Sequence, residues 1–255
     1  MRALFNGAGT GFVAVALALP VWAGETTFDA GLAYFARDEI TLPHGTEESD
    51  NDILRLTTAI SWSAGDGRMR AALELGVRNE DFNGSYPAVT GGELVFARKV
   101  GDQRYGIGAR LRSAEDLSTT TELGYSAEHL GQRFEARGFM GLQYVADPDV
   151  VRGREDTGVF GQVDTSLYLS DNWVLDAGLL ADTDGEVYGV GSEYRFGGSS
   201  FSVYMDYAEA YNSYRGVESY DTLSAGIRFV PGTKTLRAAR QSNLNRVMYR
   251  MVEVQ

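Results

Sequence analysis

Apolar and polar residues alternate along most of this chain with a period of two, the pattern of strands whose two faces meet different surroundings. The clearest stretch is "RFEARGFMGLQYVA", residues 133–146. Phe134, Ala136, Gly138, Met140, Leu142 and Tyr144 share one face, and Arg133, Glu135, Arg137 and Gln143 share the other. "RMRAALELGVR" repeats the pattern, with Met69, Ala71, Leu73, Leu75 and Val77 opposite Arg70, Glu74 and Arg78. The same reading predicts twelve strands, near 26–37, 52–63, 68–79, 92–100, 104–113, 120–129, 133–146, 158–169, 173–182, 186–196, 200–210 and 219–229. The segments are close to the ~9–11 residues that a tilted strand needs to cross a bilayer.

The connections sort by length. After even-numbered segments they are short: "AGDG", "GDQ", "LGQ", "SDN" and "GGS". After odd-numbered ones most are longer and often acidic, as in "DEITLPHGTEESDN" and "NEDFNGSYPAVTGG"; "TDG" at 183–185 is the short exception. Long and short connections on opposite ends define an up-and-down meander with short periplasmic turns. A soluble sandwich has no reason to sort its loops in this way. Aromatic residues fall where the bilayer interfaces would lie. Trp62, Tyr105, Phe134, Trp173, Phe196, Phe201 and Phe229 are at the short-turn ends of the apolar face, and Tyr34, Tyr144, Tyr188 and Tyr207 are near the other rim. The expected fold is all-β: a transmembrane up-and-down antiparallel β-barrel of about 12 strands, with 10 or 14 as alternatives, and a short C-terminal helix.

The ends of the chain read differently. Arg2, the apolar run Phe12 to Leu19, and Val21-Trp22-Ala23 have the form of a secretory signal peptide over residues 1–23, too short to span as a helix. The barrel would occupy 24–229. A basic periplasmic tail, 230–255, follows; Pro231 and Gly232 break the strand, and Leu236, Leu244, Val247, Met248 and Met251 recur at roughly helical spacing. The tail can hang free, enter the lumen as a plug, or dock on a periplasmic protein.

Composition sharpens this picture at two points. There is no cysteine, so disulfide scaffolds, thiol chemistry and Cys-based zinc sites are excluded. The net charge is −12, or −13 without Arg2; the tail carries +4, leaving −17 on residues 24–229. So acidic a body excludes nucleic acid as a partner class.

With the twelve segments and their apolar belt in view, the stretch 24–229 resembles Gram-negative outer-membrane β-barrel proteins of the small porin-like kind. "LSAGIRF", ending at Phe229, is similar to that family's C-terminal insertion signal, except that 26 residues follow it. The resemblance implies location in the cell outer membrane and contact with its lipid and lipopolysaccharide.

The register turns charged residues inward. Arg55, Arg70, Arg78, Arg104, Arg110, Arg112, Arg133 and Arg137 come from the second, third, fifth and seventh segments, interleaved with Glu74, Glu122, Glu128 and Glu135. The last five segments lean acidic, with Asp164, Asp176, Asp182, Glu193 and Asp206 against Arg195 and Arg228. An Arg-rich wall facing a carboxylate-rich wall would orient polar solutes across a narrow lumen. Paired across strands, the same charges would instead fill it. The only histidines offer no catalytic constellation: His129 is at a short turn, and His44 is in the first long loop without an adjacent serine. Glu47, Glu48, Asp50 and Asp52 in that loop lack the spacing of a calcium loop and read as a solvated acidic surface. No catalytic residue, metal site or cofactor is indicated. The expectation is a passive or weakly selective channel for small polar or charged solutes; the alternative is a closed accessory barrel serving envelope assembly or surface-polymer export.

Overall fold

The alternation resolves into one antiparallel sheet that closes on itself. In the computed structural model, residues 26–42, 45–48, 53–78, 87–114, 119–146, 155–182, 185–212 and 219–242 are described. The signal-peptide segment 1–23, the tail beyond Ser242, and His44, Asp50 and Asp52 lie outside them. The strands are β1 (Thr27–Leu42), β2 (Gly45–Glu48), β3 (Ile53–Ala64), β4 (Gly67–Arg78), β5 (Pro87–Val100), β6 (Gln103–Ala114) and β7 (Thr119–Leu130). They continue as β8 (Phe134–Ala146), β9 (Glu155–Ser170), β10 (Trp173–Ala181), β11 (Gly185–Arg195), β12 (Phe201–Asn212) and β13 (Ser219–Phe229), followed by a helix, α1 (Leu236–Ser242).

Apart from β2, each strand pairs with its sequence neighbours, and β13 pairs back onto β1 from Ala30↔Phe229 through Ala36↔Leu223. The wall therefore has twelve strands. β2 is a short return of the chain that pairs with the far end of β1, Leu42↔Gly45 to Glu39↔Glu48. Two of the short turns are two-residue hairpins that need a left-handed residue; Gly65 (φ 61°) and Gly101 (φ 63°) supply it.

The burial pattern is the reverse of a soluble protein's. Among the described residues thirty-six large apolar or aromatic side chains are exposed, from Phe96 at 37% to Tyr125 at 73%, and they form the outer face of the sheet. So large an apolar surface is incompatible with water and matches lipid. Aromatic pairs Tyr194–Phe196 and Phe201–Phe229 lie at the short-turn rim, with Tyr188–Tyr211 toward the other. Inside, Glu193, Arg195 and Glu135 are at most 1% exposed.

One row of the wall has no side chains. Gly108, Gly124 and Gly141 are paired neighbours on β6, β7 and β8. A Cβ on Gly124 would strike the Met140 carbonyl, and one on Gly141 the Leu123 carbonyl, so the two strands approach too closely for any larger residue. Gly124→Val should destabilise the folded barrel by about 1–3 kcal/mol, the usual cost of overpacking. Urea titration in detergent micelles, read as loss of the heat-modifiable band on gels, measures it.

Candidate functional site

The lumen is built by every second residue of each strand, so its chemistry follows from the register. On the β3–β7 side, arginines and carboxylates alternate between adjacent strands. Arg55 Nη1 donates to Glu74 Oε1 at 2.7 Å, and Arg104 Nη1 to Glu128 Oε2 at 2.7 Å. Arg70 pairs with Glu93, which also accepts from Arg110 Nε at 3.1 Å. Arg110 continues to Glu122 Oε2 at 3.3 Å and reaches Gln162 on β9 at 3.2 Å. At the seam, Arg228 on β13 donates through Nε to both carboxylate oxygens of Asp29 on β1, at 2.9 and 3.0 Å. It also contacts Glu193 on β11 at 3.4 Å. A cavity of about 90 Å³ remains beside these ladders, lined by Asp29, Arg55, Arg70, Glu93, Tyr204 and Arg228 among others.

An aromatic wedge sits at mid-wall. Phe139 (1% exposed) and Phe160 (4%) turn inward with ring centroids 5.0 Å apart. The Arg110 guanidinium stacks 4.2 Å from the Phe139 ring, a cation–π contact. A Cβ on Gly108 would lie 3.4 Å from the Phe139 ring, so the glycine row is the floor beneath the wedge.

The short-turn mouth is occupied by the chain's own tail. After Val230 the chain turns at Gly232 (φ 80°), and Arg195 holds that turn, donating to the carbonyls of Ser199, Val230 and Thr233 at 2.8, 3.1 and 2.7 Å. The helix α1 then enters the lumen. A seven-residue helix is too short to persist alone in water, and here its free backbone groups are met largely from the wall. At the N-terminus Thr235 caps the Ala238 amide at 3.1 Å, Asn172 Oδ1 accepts from the Leu236 amide at 3.1 Å, and the Asp171 carbonyl accepts from the Arg237 amide at 3.0 Å. At the C-terminus Arg137 and Arg104 donate to the carbonyls of Arg240 and Gln241 at 3.3 and 2.8 Å.

Side chains complete the seat. Leu236 packs with Tyr168 and Val174. Gln241 donates to Glu135 at 2.8 Å and to the Gly131 carbonyl at 3.0 Å. Arg240, 1% exposed, makes the main contact: Nη1 to Asp176 Oδ2 at 2.9 Å and Glu193 Oε2 at 3.2 Å, Nη2 to Asp176 Oδ1 at 2.7 Å and Ser166 Oγ at 3.0 Å. Burial works against this charge, but Asp176 and Glu193 outweigh it and hold the guanidinium well above its ordinary pKa.

The predicted lumen residues fall into place unevenly. Arg55, Arg70, Arg104, Arg110 and Arg137 are buried in the lumen, as are Asp164, Asp176 and Glu193. Arg112, Asp182 and Asp206 are half-buried; Asp182 closes the turn to Gly185, accepting its amide at 2.9 Å. Arg133 departs from the reading: the turn after β7 extends through it, so its side chain is exposed rather than inward. The Arg78 side chain, and those of Glu47 and Glu48, lie outside the described residues. The two walls are not cleanly separated either, because Glu93 and Asp29, unassigned by sequence reasoning, join Glu74, Glu122 and Glu128 among the arginines. Arg240 and the Phe139–Phe160 wedge were also unassigned; a phenylalanine on the charged face of "RFEARGF" was the available signal. His129 at the short-turn end is bonded to Gln103, Nδ1 to Nε2 at 2.7 Å.

This architecture has solved counterparts. The COG4313 outer membrane channel from Pseudomonas putida F1 is similar over 84% of this chain and 97% of its own, at 12% identity and a TM-score of 0.57. The KdgM porin is similar over 79% of this chain and 98% of its own, at 10% identity and a TM-score of 0.52. The chain folds as an outer-membrane β-barrel. No protein-family model matches it, and no curated protein matches it.

The Arg228–Asp29 pair joins the last strand to the first. Arg228→Ala leaves Asp29 buried without that partner and should cost about 3–5 kcal/mol, as the breaking of buried ion pairs does. Double replacement by Arg228→Met and Asp29→Leu should recover most of it. Urea midpoints of the three proteins in micelles check both expectations.

Proposed function

We propose that this outer-membrane barrel is a channel for small polar or charged solutes, passive or weakly selective, with the charged lumen as the conduit. The observation that carries the reading is the interior itself: charged and hydroxyl side chains line the wall, and a cavity with arginines and carboxylates in its lining remains open between them, in keeping with a water-filled passage. Its support from known proteins is architectural, an outer membrane channel and a porin sharing the fold. The solutes would be small, because Arg110, Phe139, Phe160 and Gln162 narrow the passage on the β6–β9 side. Outer-membrane lipid and lipopolysaccharide would surround the apolar belt.

The dense pairing of arginine with carboxylate favours a second reading, a closed accessory barrel serving envelope assembly or surface-polymer export, with residues 243–255 holding a periplasmic protein. Planar-bilayer recording separates the two. The folded barrel ending at Gly232 should give discrete conductance steps. Silence from that protein and from the full chain alike would overturn the channel reading and leave the accessory one.

A further inference from the structure

We propose that residues 233–242 are a tethered plug that closes the short-turn mouth, and that their release opens a mouth favouring cations. The inference rests on the channel reading. Three observations carry it.

The seat belongs to the wall, not to the tail. α1 cannot hold itself as a helix, and it contacts residues from β6, β8, β9, β10 and β11, so it lies across the mouth rather than along one strand. The grip is mostly polar: within α1, Leu236 and Ala239 are the buried apolar side chains, and the other contacts are hydrogen bonds and ion pairs. Withdrawal therefore exposes little apolar surface, and water and ions can replace what is lost. The wall, by contrast, is held by continuous backbone ladders that withdrawal leaves intact.

Arg240 also balances the interior. Among the described residues nine carboxylates and eight arginines are buried, Arg240 being one of the eight. When it leaves, seven arginines face nine carboxylates, and Asp176 and Glu193 lose the guanidinium they share. Two carboxylates and the Ser166 hydroxyl at this mouth favour cations and disfavour anions, as rings of acidic side chains do in other pores.

The test compares four folded proteins in planar bilayers, each checked for heat-modifiable migration: the full chain, the chain ending at Gly232, the full chain with Arg240→Glu, and the shortened chain with Asp176→Asn and Glu193→Gln. The full chain should carry at least about tenfold less mean current than the shortened one, as an occluded pore does. Arg240→Glu places like charges together and should restore the current. In a potassium chloride gradient the shortened chain should show a cation-selective reversal potential, and the Asp176→Asn, Glu193→Gln form should not. Equal current from the full and shortened chains overturns the plug while the channel stands. A shortened chain without cation preference overturns the selectivity assignment. No current from any of the four removes the channel reading, and the plug with it.

Discussion

Closure of the sheet is the constraint on which everything else depends. A hydrocarbon environment offers no partner for a free backbone amide or carbonyl, so a strand edge in the bilayer must be paired. The β13–β1 ladder supplies that pairing between segments about two hundred positions apart in the chain, and the Arg228–Asp29 ion pair sits on its inner side. Once the sheet is closed, the pleat assigns each residue to lipid or lumen. That is why one set of alternate residues is apolar and exposed while the other is charged and buried.

The closed wall creates a second problem. Carboxylates and arginines packed into a narrow interior must neutralise one another, because an isolated buried charge is far more costly than a buried pair. Around β3–β7 the wall solves this alone, with one carboxylate such as Glu93 serving two arginines. On the β10–β11 side it does not. Asp176 and Glu193 are completed by a guanidinium brought from beyond the last strand. The basic tail and the acidic body, which look unrelated in the linear chain, are thus two parts of one electrostatic arrangement.

Alternation made the wall legible from the sequence, because a period of two with a lipid face leaves few other folds. Segments such as β8 and β10 were readable almost to their ends, as "RFEARGFMGLQYVA" and Trp173–Ala181 show. Three features were not. Arg133 has the right parity but lies in a turn, and parity carries no information about where a strand stops. Phe139 and Phe160 face the lumen against the hydropathy pattern, allowed there by a glycine row that spans three different strands and has no local signature. The seat of α1 is assembled from the side chains of five strands, so its location was undetermined until the barrel was closed; "LRAARQS" by itself fits a free helix, a plug or a docking segment equally.

The position of that seat has a consequence for the order of assembly. Arg104, Arg137, Asp176, Glu193 and Arg195 come from strands spread over half the wall, and they converge only when the sheet has curved. Long-range strand pairing is the slow part of building such a topology. The seat of α1 exists only where β6 to β11 have already paired, so docking of α1 follows the pairing of those strands. A sheet in which β6 to β11 are not yet paired leaves Arg240 in solution, and their pairing withdraws it.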